Sequence, residues 1–301
     1  MVNISLLGTG GTLPLPDRYL ASLSINYEGY GILVDCGEGT QVAIKKFHRG
    51  YKNIEVICIT HFHADHVSGI PGILLTIGNS GREEPITIIG PMGLTRILEG
   101  LLIIVPILPF KIKVIEVEVP SENIYKMKDL TIGVIFLDHS ITCLGFSFKI
   151  TRKREFLFHK AEKLNIPIEN WKQLQNGLEI LEKGIKYIPD MVLGDKRKGI
   201  KITYCTDTRA IPDIVDFAKL SDLFICEATY GDNEDLNKAI ENKHMLFREA
   251  AELSDKANVK ELWLTHFSTA LKKPDIYINN AKDIFANTKV GIDGMSKELN
   301  F

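Results

Sequence analysis

The chain has 301 residues, of which 45% are hydrophobic and 25% are charged, and its 36 basic and 38 acidic side chains give a formal net charge of −2. These proportions are typical of a globular chain with a substantial core, and they exclude collagen, a coiled coil and a disordered polymer. The near-neutral charge excludes a protein that coats nucleic acid through a uniformly basic surface, but it allows a local basic patch.

Apolar periodicity predicts alternating strands and helices along the whole length of the chain. The predicted strands are residues 4–7, 23–26, 31–35, 56–60, 86–89, 113–119, 132–137, 145–150, 200–205, 223–227 and 261–265. The predicted helices are residues 39–48, 67–77, 92–102, 211–219, 243–257 and 276–285. This pattern predicts a single α/β domain over residues 1–301.

Residues 151–199 interrupt this pattern and differ from the rest of the chain in composition. The segment holds basic runs at 152–154 and 196–198, a short helical pattern at 156–164 and a breaker, Asn-Ile-Pro, at 165–167. Strands typical of a core resume after it. We therefore expect an arm inserted into the domain.

No segment is long enough to cross a membrane. The most apolar window, residues 101–110, contains two prolines and falls short of the ~20 residues that a membrane helix needs. The first residues lack the basic and apolar regions of a signal peptide.

The five cysteines form no C-x-x-C pair, and four lie in or beside apolar runs. We therefore expect buried thiols in a reducing, cytoplasmic compartment.

The strongest chemical signal is the segment H-F-H-A-D-H at residues 61–66, which holds three of the eight histidines of the chain directly after a predicted strand. A turn at this position can direct His61 and His63 towards one metal ion, and Asp65 and His66 towards a second. Imidazole and carboxylate groups are ligands that suit zinc. The segment therefore predicts a metal site.

These six residues cannot complete two metal shells, so we expect further ligands at other strand ends. Three candidates directly follow predicted strands, namely His139, Asp207 and His266. Residues 56–61 and 261–266 are both apolar strands that end in Thr-His. This internal similarity predicts a duplicated sandwich with a site along one edge.

An H-x-H-x-D-H segment followed by a later His, Asp and His resembles the metallo-β-lactamase superfamily, whose fold is a four-layer αββα sandwich. Within it the chain is most similar to the ribonuclease Z family, endonucleases that remove the 3′ trailer from precursor tRNA. The similarity also includes L-L-G-T-G at 6–10, L-V-D-C-G-E-G-T-Q at 33–41, C-T-D-T-R at 205–209, E-A-T at 227–229 and L-T-H at 264–266.

The resemblance implies two zinc ions in each chain. The implied ligands are His61, His63 and His139 for one ion and Asp65, His66 and His266 for the other, with Asp207 bridging the two. Such a pair would share a hydroxide for in-line attack on the phosphate, and Asp65 would orient or deprotonate the water that supplies it. The ligand types also allow manganese or iron.

The resemblance further implies a proton donor for the leaving 3′ oxygen. Glu227 and His244 match the family's Glu and His outside the metal ligands, and a carboxylate can keep an imidazole protonated beside a developing alkoxide. Asp35 has two possible roles. It is a candidate to orient a ligating histidine through the second ring nitrogen, or it is purely structural.

Substrate binding is assigned to a loop and to the arm. The basic loop of the family keeps its arginine, Arg18, but has lost a lysine and an asparagine. The arm has the length and position of the segment with which the family grips tRNA, and its positive charges favour phosphate contacts. The candidate substrate-binding residues are Arg18, Arg152, Lys153 and Arg154. The resemblance also implies a homodimer, for which residues 101–110 offer an apolar surface.

Other functions remain open on the sequence alone. The same metal site suits a hydrolase of small phosphodiesters or sulfate esters, although a small substrate has no use for the arm. The arm and the D-T-R segment at 207–209 disfavour a β-lactamase or a thioester hydrolase. A non-catalytic RNA- or protein-binding module is disfavoured because all seven implied ligands are present.

Overall fold

The computed structural model describes all 301 residues and contains two seven-stranded sheets. The strands of the first sheet are β1 (Val2–Gly8), β2 (Ser22–Tyr27), β3 (Tyr30–Val34), β4 (Ile54–Cys58), β5 (Ile86–Pro91), β6 (Ile112–Val117) and β16 (Ser296–Leu299). Their order is β16-β1-β2-β3-β4-β5-β6. The strands from β3 to β6 are parallel to one another, and this arrangement brings their carboxyl ends to one edge.

The second sheet is formed mainly by the second half of the chain. Its strands are β7 (Ser121–Met127), β8 (Leu130–Leu137), β9 (Cys143–Arg152), β12 (Arg197–Cys205), β13 (Leu223–Glu227), β14 (Leu262–Thr265) and β15 (Thr288–Val290). Their order is β15-β14-β13-β12-β9-β8-β7. The strands from β12 to β15 are parallel, so they also end at a common edge.

The helices lie between the strands in sequence. They are α1 (Thr40–Lys46), α2 (Ala64–Val67), α3 (Ile70–Asn79), α4 (Leu94–Leu101), α5 (Phe158–Lys163), α6 (Ile168–Gln175), α7 (Asp213–Ala218), α8 (Leu236–Glu241), α9 (Phe247–Lys256) and α10 (Asn279–Lys282). None of them combines the length and the apolar character needed to span a membrane.

Helices cover one face of each sheet. The helices α1, α3 and α4 pack on the first sheet through a buried cluster that includes Ile44, Leu74, Leu98, Ile57 and Ile88. The helices α7 and α9 pack on the second through Ile214, Ala250, Leu253, Phe224 and Leu264. The alternate residues of these strands are buried as well, as is typical of strands covered on both faces. The predicted αββα architecture is confirmed.

Three predicted helices differ from the structure. The helix expected at 67–77 is divided into α2 and α3 at Gly69, whose N–H donates to the carbonyl of Cys36 (2.8 Å). The helix expected from residue 243 begins at Phe247, because Lys243 has a left-handed φ of 55° and Leu246 is extended. The helix expected at 276–285 is a 3₁₀ turn, Pro274–Tyr277, followed by the short α10.

Contact density divides the chain into two compact units. One comprises residues 1–149 and 200–300, and the other comprises residues 150–199 with Phe301. The smaller unit contains α5, α6 and a hairpin of β10 (Ile180–Glu182) and β11 (Ile185–Tyr187). It has an apolar cluster of its own, which includes Phe156, Ala161, Ile166, Leu174 and Val192.

Candidate metal centre and active site

The predicted ligands lie in segments that directly follow strand ends. Residues 61–66 follow β4, His139 follows β8, Asp207 follows β12 and His266 follows β14. Asp207 and His266 have left-handed φ values of 50° and 60°. Such conformations are costly for residues other than glycine and cluster at functional sites. The sharp turns direct these side chains into one cluster instead of continuing the strands.

His61, His63 and His139 form the first group of donors. Their ligand atoms all lie within 4.8 Å of one another. The Nδ1 atom of His63 is 3.0 Å from His61 Nε2 and 3.3 Å from His139 Nε2. Three imidazole nitrogens that face one another across such distances suit a shared cation.

Asp65, His66 and His266 form the second group, whose ligand atoms also lie within 4.8 Å of one another. Oδ2 of Asp65 is 3.5 Å from His66 Nε2 and 3.7 Å from His266 Nε2. Both of these nitrogens are buried and have no hydrogen-bond partner in the protein. Since an unsatisfied buried polar atom is costly, the pair fits a metal ion as the missing partner.

The Asp207 carboxylate lies between the two groups. Its Oδ1 is 3.9 Å from His61 Nε2 and 3.8 Å from His139 Nε2. Its Oδ2 is 3.3 Å from both His66 Nε2 and His266 Nε2. Each oxygen therefore faces a different group of donors, as a bridging carboxylate must.

Four of the five histidines have a defined neighbour at Nδ1, namely His61, His66, His139 and His266. The Asp35 carboxylate is 2.8 Å from Nδ1 of His66 and also accepts hydrogen bonds from the N–H and hydroxyl of Thr60. The Thr60 hydroxyl lies 3.0 Å from Nδ1 of His61, so Asp35 orients two histidines at once. Such contacts fix the ring orientation and leave Nε2 free to ligate.

The electrostatic environment differs between the two donor groups. Burial lowers the pKa of His61 and of His139, which keeps their nitrogen lone pairs available. Burial alone would raise the pKa of Asp207, but the surrounding imidazoles outweigh it and hold that pKa well below its usual range. Burial alone would lower the pKa of His66 as well, but the carboxylates of Asp207 and Asp35 outweigh it and raise that pKa. The centre therefore combines an ionised Asp207 with neutral imidazoles at His61 and His139, whereas His66 attracts positive charge.

The structure also brings Glu227 and His244 together. Nδ1 of His244 lies 2.9 Å from Oε1 of the fully buried Glu227 and 4.0 Å from Oδ1 of Asp207. Burial alone would lower the pKa of His244, but the Glu227 carboxylate outweighs this effect and raises the pKa to about 9. An imidazole with a raised pKa is thus held beside the Asp207 carboxylate, where it can supply a proton.

Other residues of the centre were not assigned from the sequence. Thr229, which the sequence marked only as part of the E-A-T segment, has its hydroxyl 3.2 Å from Nδ1 of His266 and donates it to Glu227 (2.7 Å). A side chain at Gly11 would come within 2.6 Å of the His266 ring, so only glycine allows this loop to approach. The glycines beside the first strand were a signal of that close approach.

Three comparisons relate the chain to known proteins. The family model described as anti-Pycsar protein Apyc1 matches residues 2–101. Ribonuclease Z of Clostridium acetobutylicum is 52% identical over 306 residues, covering 100% of this chain and 99% of the relative. Ribonuclease Z of Clostridium perfringens is 50% identical over 314 residues with the same coverage.

The chain belongs to the ribonuclease Z family. Among solved structures, the short form of human tRNase Z has a TM-score of 0.70 and 25% identity, covering 99% of this chain and 100% of its own. A metallo-β-lactamase fold protein of Bacillus subtilis also has a TM-score of 0.70, at 16% identity and the same coverage, and supports the fold alone. The family and fold predicted from the sequence are both confirmed.

The four candidate substrate-binding residues of this family member differ in their surroundings. The Arg18 guanidinium donates to the carbonyls of Leu271 (3.0 Å) and Lys272 (3.2 Å). The Arg154 side chain pairs with Asp190 and donates to the carbonyl of Gly194, which ties together the smaller unit. The Arg152 guanidinium lies over the ring of Phe301, and Lys153 is exposed. Arg18 and Arg154 therefore have structural roles whether or not they bind RNA.

Replacing Asp35 with asparagine tests its role as an orienting residue. The change removes the charge that faces His66 Nδ1, and we expect metal affinity to fall by roughly 10–100-fold. Competition with a chromogenic chelator measures this affinity. The matched control is Asp293→Asn, because the Asp293 carboxylate accepts hydrogen bonds from Thr9 and Tyr19 and contacts none of the metal-binding donors. Equal affinity in both variants would show that Asp35 is only structural.

Proposed function

We propose that this chain is a zinc-dependent endoribonuclease that removes the 3′ trailer from precursor tRNA. The observation that carries the proposal is the Asp207 carboxylate, which faces one donor group with each oxygen and lies 4.0 Å from Nδ1 of His244. Two ligated ions beside a proton donor are the arrangement that phosphodiester hydrolysis needs. Membership of the ribonuclease Z family identifies the substrate class.

Two zinc ions are the proposed cofactors. The donors comprise five imidazoles and two carboxylates, a set that suits zinc and also admits manganese or iron. Zinc bound by these residues would lower the pKa of water to ~7 and offset the charge of the scissile phosphate. Metal analysis of the purified protein tests both the identity and the number of the ions.

Asp65 is proposed as the group that prepares the attacking water. Its Oδ2 accepts the N–H of Thr12 (2.7 Å), and this bond fixes the carboxylate beside the second donor group. The side chain retains 13% exposure, whereas Asp207 retains 4%. Water can therefore reach Asp65, which would orient the attacking water and accept its proton.

His244 is proposed as the general acid. Its Nδ1 faces Glu227, so Nε2 is the atom from which a proton can pass to the leaving 3′ oxygen. The Glu227 carboxylate also accepts hydrogen bonds from the N–H groups of Thr208 (2.7 Å) and Met245 (3.1 Å). These bonds keep the carboxylate fixed, and Glu227 in turn stabilises the imidazolium form of His244.

Binding of precursor tRNA is assigned to the smaller unit, residues 150–199, and to the loop that carries Arg18. Positive charges favour phosphate contacts because each one that neutralises a phosphate releases counterions. Arg152 and Lys153 are the proposed contacts at the start of the arm. Arg154 is retained as a candidate, although its guanidinium also holds Asp190.

A homodimer in the cytoplasm is the proposed state of the protein. Ile103, Ile104 and Ile107 are between 79% and 100% exposed on one short segment. Contiguous exposed apolar side chains are typical of protein contacts. Light scattering tests the dimer, and Ile104→Asp together with Ile107→Asp should convert it to a monomer without unfolding it.

Removal of the arm tests the substrate assignment. The arm begins in β9 and ends in β12, which are neighbours in the second sheet, so a short Gly-Ser linker can replace residues 154–197. We expect hydrolysis of bis(p-nitrophenyl) phosphate to change less than twofold, because all seven metal-binding donors lie in the larger unit. Cleavage of precursor tRNA should fall by roughly 10²-fold or more through KM, and its salt dependence should flatten.

A matched variant separates charge from folding in this experiment. Lys153→Gln with Lys196→Gln removes two exposed charges and leaves the apolar cluster of the arm intact. Cleavage of precursor tRNA by this variant should fall, but less than in the protein without the arm. Hydrolysis of the nitrophenyl ester should be unchanged. Undiminished tRNA cleavage without the arm would contradict the assignment.

Hydrolysis of a small phosphodiester is the second candidate function. The observation that favours it is the location of every metal-binding donor outside residues 150–199, since the chemistry then does not require the arm. Under this alternative, loss of the arm changes neither activity. The same experiment therefore discriminates between the two functions.

A further inference from the structure

The ion pair of Arg209 and Glu249 contacts the backbone of His244 and takes no part in the chemistry described above. Arg209 follows Asp207 by two residues and is held by its backbone N–H, which donates to the carbonyl of Asp138 (3.0 Å). Glu249 lies in the first turn of α9. The side chains of Arg209 and Glu249 are only 18% and 16% exposed.

The Arg209 guanidinium makes three directed contacts. Nη1 donates to Oε2 of Glu249 (3.0 Å), and Nη2 donates to Oε1 of the same carboxylate. Nη1 also donates to the backbone carbonyl of His244. A bidentate pair of this kind combines charge with fixed geometry, which a lysine cannot reproduce.

His244 depends on such contacts because it lies in the short connection between α8 and α9. The preceding residue, Lys243, has a left-handed φ of 55°. Glu249 also accepts the N–H of Leu246 (2.9 Å), so the pair holds the connection at the carbonyl of residue 244 and at the amide of residue 246. The backbone of His244 is therefore fixed independently of the bond between its ring and Glu227.

We propose that Arg209 and Glu249 are positioning residues for His244, an inference that rests on the proposed role of His244 as general acid. We call the pair of Arg209 and Glu249 the clamp. The segment that supplies the bridging carboxylate also supplies the arginine of the clamp, since Asp207 and Arg209 are separated by one residue. The distance between the donor ring and the bridging carboxylate is thus set by one rigid frame. Loss of the pair should misplace the proton donor and leave the metal-binding donors in place.

The test compares two substrates with different needs for a proton. Cleavage of precursor tRNA expels an alkoxide, which requires protonation, whereas bis(p-nitrophenyl) phosphate expels a nitrophenolate, which does not. We expect Glu249→Gln and Arg209→Met to lower kcat on precursor tRNA by about 10–100-fold with unchanged KM, the scale of a small misplacement of a catalytic group. Activity on the nitrophenyl ester and metal content should change less than twofold. Arg209→Lys should restore kcat only in part.

Glu55→Gln is the matched control for Glu249→Gln. Glu55 also pairs with a largely buried arginine, Arg82 (3.0 Å), and lies near the amino end of β4, the end opposite to the one that residues 61–66 follow. Glutamine at position 249 can still accept the N–H of Leu246, so α9 keeps its cap. The control should leave the ratio of activity on precursor tRNA to activity on the nitrophenyl ester unchanged. An altered ratio in Glu55→Gln would overturn the proposal, because it would show that the ratio responds to protein stability.

A double variant separates this inference from the proposed function. If the pair acts through the donor, adding Glu249→Gln to His244→Ala should cost no further activity on precursor tRNA. A further loss of tenfold or more would mean that Glu249 acts elsewhere and would overturn the inference. Should His244→Ala itself slow both substrates equally, the general-acid assignment fails. If His244→Ala loses activity selectively on precursor tRNA while Glu249→Gln loses none, the positioning role of Arg209 and Glu249 is overturned and the general-acid role of His244 stands.

Discussion

Replacing Asp207 with alanine should lower the metal content from two ions per chain towards one or none and abolish hydrolysis of every phosphodiester. Each oxygen of this carboxylate faces a different pair of imidazoles, at 3.3 Å on one side and 3.8–3.9 Å on the other. Alanine removes a ligand from both groups and leaves the buried imidazoles without their common anion. Plasma emission spectrometry and activity on bis(p-nitrophenyl) phosphate measure the two effects.

A folding control is necessary because Asp207 is almost completely buried. Circular dichroism should show a folded Asp207→Ala variant, and Asp293→Ala provides the same substitution in a half-buried carboxylate that contacts none of the metal-binding donors. We expect Asp293→Ala to retain two ions. Two ions in a folded Asp207→Ala variant would show that the bridge is assigned wrongly.

Replacing His244 with alanine should slow cleavage of precursor tRNA by roughly 10²–10⁴-fold, the usual effect of losing a positioned general acid. Both metal ions should remain, because residues 61, 63 and 139 and residues 65, 66 and 266 form donor groups without His244, and Nδ1 of His244 faces Glu227 at 2.9 Å. Hydrolysis of bis(p-nitrophenyl) phosphate should fall much less, since nitrophenolate leaves without a proton. Steady-state kinetics on both substrates measure the ratio of the two losses.

Glu227→Gln provides a companion to that variant. Glutamine keeps one acceptor oxygen, which serves either the N–H of Thr208 (at Oε1) or that of Met245 (at Oε2), and it removes the charge that stabilises the imidazolium of His244. Glu227→Gln should therefore slow cleavage of precursor tRNA more than hydrolysis of the nitrophenyl ester, as His244→Ala does. The decrease in rate should be smaller than in His244→Ala. Equal losses on both substrates in either variant would indicate structural damage.

Strands and helices with a clear apolar pattern were predictable from the sequence. The strands β4 and β14 are apolar apart from Glu55 and Thr265 because both of their faces are covered, and each was predicted to within two residues. The edge strand β7 was missed because its sequence, S-E-N-I-Y-K-M, lacks regular alternation. The strands β15 and β16 have only three and four residues, which is too short for a periodic signal.

The candidate site was predictable in its residue types but not in its supporting contacts. The ligand candidates follow strands, and the edge common to parallel strands explains why Asp207 and His266 meet. Asp35 was a candidate to orient a ligating histidine, but its contacts with Thr60 and His66 join residues 25 and 31 positions apart, and no local pattern encodes which histidine it faces. The clamp of Arg209 on His244 likewise joins segments 35 residues apart. The metal-binding and catalytic roles of these residues stay predictions.

Mapping of both product ends from precursor tRNA tests the central claim most directly. The zinc-loaded protein is incubated with a precursor tRNA that carries a 3′ trailer, and the ends of the two fragments are determined. Proton transfer from His244 to a leaving 3′ oxygen predicts one cut, a tRNA body with a free 3′-hydroxyl and a trailer with a 5′-phosphate. The loaded His244→Ala protein should yield the same ends at a much lower rate. An intact precursor, or a body that ends in a 3′-phosphate, would contradict the account.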